Sequence, residues 1–306
     1  MTYLISGISG WLGRASVHVL MEKFDVKARE IVGIGREREK ISIGHGESIT
    51  VLTWDDVLIS DIKPKAFLHF AFVTKDKLSA LGLEQFVDSN RSIIQSVQRV
   101  IRALKPECVL TVSSGAVYKN FGSSDLHISL KEEPYGFLKL EEENAIIASS
   151  REIGAAHVIN RLFNLSGADV QNTEPFVLAN FILSALSDKR IVIKSDFEVF
   201  RRYIDARELL ELLLVIANRN ESIVFDSGGP LIEIRSLAEI IARKIDGHVR
   251  IDDPGISPRK NASRYYSTNN TYDEFCLDLL TKPPTGIDQQ VQNTISGLLK
   301  AQTRSF

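Results

Sequence analysis

Apolar positions along this chain follow two rhythms that replace one another repeatedly. The run Thr2-Tyr3-Leu4-Ile5-Ser6 is short and continuous, as in a buried strand, and the stretch from Trp11 to Leu20 spaces its apolar residues for a helix. Further strand-like runs lie at 30–34, 49–53, 66–70, 108–112 and 156–160, separated by longer periodic segments. Short strands alternating with long helices predict an α/β protein built on a doubly wound parallel sheet. The clearest helices span 83–104, closed by Lys105-Pro106, and 135–153, which starts behind Pro134 and stops at Gly154. Beyond about residue 165 the rhythm loosens, with helices at 176–187 and 234–245 among short strands at 190–194 and 222–226. We expect one domain over 1–165 and a smaller α/β C-terminal lobe over 166–306, interleaved with returns to the first.

The first strand leads into Gly7-x-x-Gly10-x-x-Gly13 and then into a helix, which is the context a dinucleotide fingerprint requires. Gly7 permits the tight turn, Gly10 lets backbone approach a pyrophosphate, and Gly13 lets the helix pack closely on the sheet. The helix N-terminus receives the phosphate charge. Trp11 and Leu12 open that helix and join the three glycines as cofactor-binding candidates, and the first domain is expected to be of Rossmann type.

The second chemical signal is Tyr135-Gly136-Phe137-Leu138-Lys139. A tyrosine four residues before a lysine on a helix puts both side chains on one face, an ammonium beside a phenol. An unperturbed phenol titrates near pH ~10, and an adjacent cation favours phenolate. The pair is thus expected to bring the tyrosine toward a working proton-transfer range. Alone the spacing is weak; downstream of the glycine turn and of Ser113-Ser114 it predicts a dinucleotide-dependent redox enzyme.

Composition narrows the partners. A formal net charge of -2 over 306 residues gives no global attraction to nucleic acid or to an anionic membrane. The longest apolar run, Leu209 to Ala217, is interrupted by Glu211 and falls short of the ~20 residues that span a bilayer. Cys108 and Cys276 are too few for a disulfide framework or a metal cluster, so no metal is expected and both thiols should be buried in a reducing cytoplasm. The first residues already form the fingerprint strand, so no signal peptide is expected.

With these residues in hand the chain resembles the extended short-chain dehydrogenase/reductase family of nucleotide-sugar epimerases, dehydratases and 4-ketoreductases. Four further blocks fall in family order: Leu68-His69-Phe70-Ala71, Val112-Ser113-Ser114-Gly115-Ala116-Val117-Tyr118, Asn160 to Gly167, and Arg201-Arg202-Tyr203-Ile204-Asp205. The resemblance implies that Ser114 bonds the substrate oxygen, Tyr135 carries its proton, and Lys139 lowers the tyrosine pKa and holds the nicotinamide ribose. Ser113 supports the turn. Phe70 and Ala71 form the floor under the cofactor, and Asn90 either kinks the long helix or is a solvated surface residue. Asn164 touches the substrate diphosphate and Arg201 pairs with phosphate or ribose, with Arg259 a further arginine whose alignment competes with Arg264. A homodimer through helices 83–104 and 135–153 is also implied.

Cofactor choice is read after the second strand, where NAD-preferring proteins carry an acid for the ribose 2′-hydroxyl. Gly35-Arg36-Glu37-Arg38 stands there, and guanidinium groups suit a 2′-phosphate, so NADP is favoured and Glu37 keeps NAD open. The Asp that commonly contacts the adenine side after the third strand is replaced by Thr53-Trp54, with Asp55 and Asp56 close behind. Ser114-Gly115-Ala116 replaces the dehydratases' Thr-Asp-Glu, which removes the acid pair for dehydration. The expectation is therefore NADPH-dependent reduction of a keto group, at C4 of a nucleotide-activated 6-deoxy-4-keto sugar. The alternatives are an NAD-dependent nucleotide-sugar 4-epimerase and a non-catalytic NADP(H)-binding sensor or scaffold.

Overall fold

The computed structural model describes residues 1–44, 46–119, 125–126, 128–170, 173, 176–258 and 260–303. Its strands are β1 (Thr2–Ser6), β2 (Ile31–Ile34), β3 (Glu39–Gly44), β4 (Glu47–Leu52), β5 (Pro64–His69), β6 (Cys108–Ser114), β7 (Ala156–Leu162), β8 (Leu165–Ser166), β9 (Arg190–Val192), β10 (Val199–Arg202), β11 (Ile204–Asp205), β12 (Ile223–Asp226), β13 (Leu231–Glu233), β14 (Arg250–Asp252) and β15 (Ser263–Tyr265). The helices are α1 (Trp11–Phe24), α2 (Trp54–Leu58), α3 (Leu78–Leu81), α4 (Leu83–Leu104), α5 (Pro134–Ile153), α6 (Val177–Asp188), α7 (Ala206–Ala217), α8 (Ile234–Ile245), α9 (Thr271–Leu279) and α10 (Ile287–Thr303).

The chain divides into two units, one of Met1–Lys119, the segment that ends at Arg161, and Leu210–Phe225, the other of Leu162–Leu209 and the chain from Asp226 onward. The large sheet runs β12-β7-β6-β5-β1-β2-β4-β3. β1 lies at its centre, parallel to both β2 and β5, so its residues are covered on both faces and Leu4 and Ile5 are fully buried. Phe67, Val97, Ile101, Val109, Ile146 and Ile159 pack with Leu4 into one core, each contributing about 1.5–3 kcal/mol on full burial. The antiparallel edge strand β3 was not legible from pattern, because its half-exposed residues carry little apolar signal.

The two long helices end where their caps dictate. α4 stops at Lys105, held at φ 50°, and α5 begins with Pro134 in its first turn and stops at Gly154, at φ 73°. Half-exposed pairs Arg91–Glu141 (3.0 Å) and Arg102–Glu152 (2.8 Å) join them side by side. In the second unit a small sheet, β13-β10-β15, presents Arg201 and Arg202 on opposite faces of β10. Both cysteines are buried, and burial pushes the Cys108 thiol up to about 12. Among the described residues no helix is long and apolar enough to cross a membrane, and no group of three or more His, Cys, Asp or Glu side chains is placed to hold a metal ion.

Candidate active site

The glycine turn is built by close approach of backbone to backbone. A Cβ at Gly13 would lie 2.2 Å from the Gly7 carbonyl oxygen, and one at Gly7, whose φ is 68°, would lie 2.8 Å from the Ala71 nitrogen. The turn closes with Gly10 N–H donating to the Gly7 carbonyl at 3.0 Å, and Phe70 N–H donating to the Ser6 carbonyl at 3.1 Å. Gly7 therefore sits directly against Phe70 and Ala71. Gly10 caps α1 without a side-chain oxygen, and no acid stands in the helix's first turn. Trp11 is buried there and Leu12 partly so. A fourteen-residue helix ending in this way fits a pyrophosphate.

Beyond β2 the two arginines have different surroundings. Arg38 donates from Nε to Asp56 at 2.6 Å and pairs with it a second time through its other nitrogen. Asp56 in turn caps α2 together with Thr53, and the Arg38 hydrogen bonds hold its carboxyl well below the usual carboxylate range. Arg36 is exposed, with no ionic partner among the described residues. The Thr53–Asp56 stretch thus serves the helix cap and Arg38.

Ser114 is buried at the end of β6 and accepts a hydrogen bond from Ala116 N–H at 3.2 Å. Its side chain is also hydrogen-bonded with Tyr135. Gly136 makes this possible, because a Cβ there would lie 2.0 Å from the Ala116 carbonyl oxygen. Tyr135 meets the Phe72 ring edge-on at 5.9 Å and packs against Phe86, Val87 and Leu138. Burial pushes its phenol up to about 12; the Glu142 carboxylate pushes the same way, the Ser114 hydrogen bond opposes, and Asp76 adds a smaller upward push.

Lys139 follows one turn later on α5. Lys139 is buried, its Nζ lies 2.5 Å from Glu142 Oε2 and 4.2 Å from the centre of the Phe72 ring, and so its charge is met by a carboxylate. Glu142 Oε1 lies 3.0 Å from His69 Nε2, and His69 Nδ1 lies 2.6 Å from Ser6 Oγ. A buried chain thus links Ser6, the residue before Gly7, to the lysine. Glu142, His69 and Ser6 were not among the sequence candidates; the three-residue spacing of Lys139 and Glu142 on one helix face was the available signal. Asn90 is fully buried, accepts from Val73 N–H at 2.8 Å and donates to the Val73 and Phe86 carbonyls, so it anchors the segment after β5. Ser113 is buried with no partner for its hydroxyl among the described residues, so a turn-supporting hydrogen bond is not formed.

The second unit holds the remaining candidates. Arg201 is half-buried, its guanidinium 5.8 Å from the centre of the Tyr265 ring, and its hydrogen bonds go to the Phe200 and Ser263 carbonyls and the Ser263 hydroxyl. No carboxylate pairs with it among the described residues, and desolvation depresses its pKa. Its neighbour Arg202 instead pairs with Asp273. Asn164 donates its side-chain amide to the Arg202 carbonyl at 3.1 Å and the Tyr265 carbonyl at 3.2 Å, so its donors are already spent within the unit. Arg259 lies outside the described residues, and Arg264 is exposed above the Phe200 ring.

A parallel sheet with a glycine turn at β1 and a serine, tyrosine and lysine gathered beyond β6 defines a dinucleotide-dependent oxidoreductase of the extended short-chain dehydrogenase/reductase type. The chain belongs to the NAD dependent epimerase/dehydratase family, which it matches over residues 3–226. It is similar in fold to a UDP-glucose 4-epimerase (16% identity, TM-score 0.79, covering 99% of this chain and 98% of that one). MoeE5, in a complex with UDP-glucose and NAD, is 17% identical with TM-score 0.75 over 99% of this chain and 100% of that one. A UDP-N-acetylglucosamine 4-epimerase from Methanobrevibacter ruminantium M1, in complex with UDP-N-acetylmuramic acid, is 19% identical with TM-score 0.73 over 98% of each. No curated protein matches the chain.

Proposed function

We propose that the protein reduces the keto group of a nucleotide-activated sugar, at C4 of a 6-deoxy-4-keto sugar, with Tyr135 as the proton donor. The observation that carries this reading is the Tyr135 phenol, hydrogen-bonded with Ser114 at the end of β6 and one helical turn before the buried Lys139. A phenol that keeps its proton suits donation to a carbonyl oxygen as that oxygen gains charge. When bound, NADPH supplies the hydride to the carbonyl carbon. Ser114 would hold the oxygen, Tyr135 would give it a proton, and Lys139 would hold the nicotinamide ribose. Gly7, Gly10, Trp11, Leu12 and Gly13 would hold the pyrophosphate, Phe70 and Ala71 the floor, and Arg36 the 2′-phosphate. Arg201, desolvated and without a carboxylate, is the side chain suited to a substrate diphosphate.

A second reading, an NAD-dependent 4-epimerase, is favoured by one observation: Arg38 is held by Asp56, which leaves a single arginine for a 2′-phosphate. The MoeE5 complex with NAD points the same way. Dehydration has no such support, since no carboxylate stands in Ser114-Gly115-Ala116. A homodimer through α4 and α5 belongs to the proposal; most exposed positions of α4, among them Glu84, Asp88, Ser92, Gln95 and Arg99, are polar, and Leu83 is an exposed apolar one. Sedimentation would test it.

The test of function is a titration of nucleotide-stripped protein with NADPH and NADH, followed by incubation with UDP- and dTDP-sugars and their 4-keto forms. Reduction predicts preferential NADPH binding and NADPH consumption only with a 4-keto sugar. Retained NAD and a C4-inverted product, seen by proton NMR, would replace reduction by epimerisation.

A further inference from the structure

Helix α5 carries Glu141-Glu142-Glu143, three carboxylates about 100° apart around the helix axis, and each meets different partners. Glu141 reaches Arg91 of α4, and Glu143 reaches Arg161 at 2.7 Å, whose guanidinium also donates to the Tyr118 hydroxyl at 2.9 Å. Those two pairs tie α5 to its neighbours. Glu142 instead shares a face with Lys139, three residues earlier, and its side chain is 1% exposed. Its Oε2 accepts from Lys139 Nζ at 2.5 Å, and its Oε1 lies 3.0 Å from His69 Nε2. Ser6 Oγ accepts from Ala71 N–H at 3.5 Å and lies 2.6 Å from His69 Nδ1, so the serine proton is free for that nitrogen. The network thus assigns the His69 proton to Nε2, which donates it to Glu142. Burial alone would raise the Glu142 pKa, but Lys139 first and then His69 more than offset this, so the carboxyl carries its charge.

Lys139 is held from a second side as well. The Phe72 ring centre lies 4.2 Å from its Nζ, a cation–π contact in a buried setting. Among the described residues Glu142 is the carboxylate that pairs with it. A lysine ends in a compact point charge on a flexible four-carbon stem. Ordering such a side chain at the moment a ligand binds opposes binding, and ordering it beforehand within the fold removes that cost. Glu142 takes one of the three N–H groups of the ammonium, which leaves two for the hydroxyls of a ribose.

We propose that Glu142 is a positioning residue that fixes the Lys139 ammonium for the nicotinamide ribose before the cofactor arrives, with His69 bracing the carboxylate from β5. The inference rests on the reading of Lys139 as the lysine that holds this ribose. Glu142 acts through Lys139, and a neutral side chain in its place leaves a buried ammonium without its counter-charge and free to move from its post.

The test compares two ligands on one variant. NADPH or NADH, whichever the unchanged protein binds the tighter, carries the nicotinamide ribose; ADP carries the adenosine and the diphosphate and lacks that ribose. Glu142→Gln removes the charge at nearly constant volume. It should weaken dinucleotide binding about tenfold by fluorescence titration, the effect of ordering one long side chain anew, and leave ADP binding, by calorimetry, within roughly twofold. Glu142→Asp keeps the charge but withdraws it by one methylene and should lose less; it is the variant to read if the amide does not fold. Unchanged dinucleotide affinity in a folded Glu142 variant overturns the proposal. Equal losses for the dinucleotide and for ADP overturn it too, because they mark a general loosening of the site and not a displaced lysine. Neither titration needs a sugar. A protein that binds the dinucleotide and turns over no keto sugar would sink the proposed reaction and leave the role of Glu142 to be decided by the two affinities.

Discussion

The two ends of the proposed cofactor site in the first unit are built on opposite principles. At the phosphate end, Gly7, Gly10 and Gly13 work by lacking side chains, and backbone carbonyls and N–H groups occupy the space a Cβ would take. At the redox end, Tyr135, Lys139, Glu142, His69 and Ser6 work through side-chain charge and hydrogen bonds in a buried setting. Steric requirements leave a mark in the local sequence, since only glycine satisfies them. Electrostatic ones do not, because the value of a lysine depends on what lies next to its ammonium in space.

The comparison breaks most sharply at the redox end. Tyr135→Phe removes the proton donor and should lower turnover by roughly 10²- to 10⁴-fold. NADPH affinity, measured by fluorescence titration, should stay within a few-fold; turnover that survived the change would end the assignment. Gly13→Val tests the phosphate end in the opposite sense. It should weaken NADPH binding by about 100-fold and lower the thermal midpoint, as overpacking against backbone costs about 3 kcal/mol. Normal affinity in a folded Gly13 variant would show that the close approach is not what shapes the turn.

Smaller effects sharpen the contrast. Arg36→Ala should weaken NADPH binding by about tenfold and leave NADH nearly unchanged, the loss of a charge-assisted hydrogen bond to phosphate. Arg38→Ala should do little, since that guanidinium is already bonded to Asp56. Equal losses from the two would return Arg38 to the 2′-phosphate, and none from either would favour NAD. The smallest effect is on alkaline stability. Burial pushes the Tyr135 phenol up to about 12 from an ordinary value of 10.0. The native phenol thus keeps its proton while an unfolded one loses it. Its contribution to stability is complete below pH ~10 and is lost as the pH rises toward the folded value. Chemical denaturation across that window should show the decline.

The sheet-and-helix order was legible because buried parallel strands and long amphipathic helices carry strong patterns, and α4 and α5 ended at Lys105 and Gly154 as their cap residues implied. Strand β3 was not, since an exposed edge needs little apolar character. Arg36 and Arg38 looked alike in sequence, and so did Arg201 and Arg202. In each pair one guanidinium found a carboxylate from a distant segment and the other, among the described residues, did not. Asn90 looked as much like a surface residue as a helix-kinking one, and only the approach of Val73 gave its amide a purpose.

By itself the sequence determined the class of fold, the glycine turn and the presence of Ser114, Tyr135 and Lys139, because each depends on residue type at short spacing. Only the tertiary structure decided which distant charges meet: His69 with Glu142, Arg38 with Asp56, and Arg201, among the described residues, with no carboxylate. Burial strengthens such pairings, and they join positions whose separation in the chain bears no fixed relation to their separation in space.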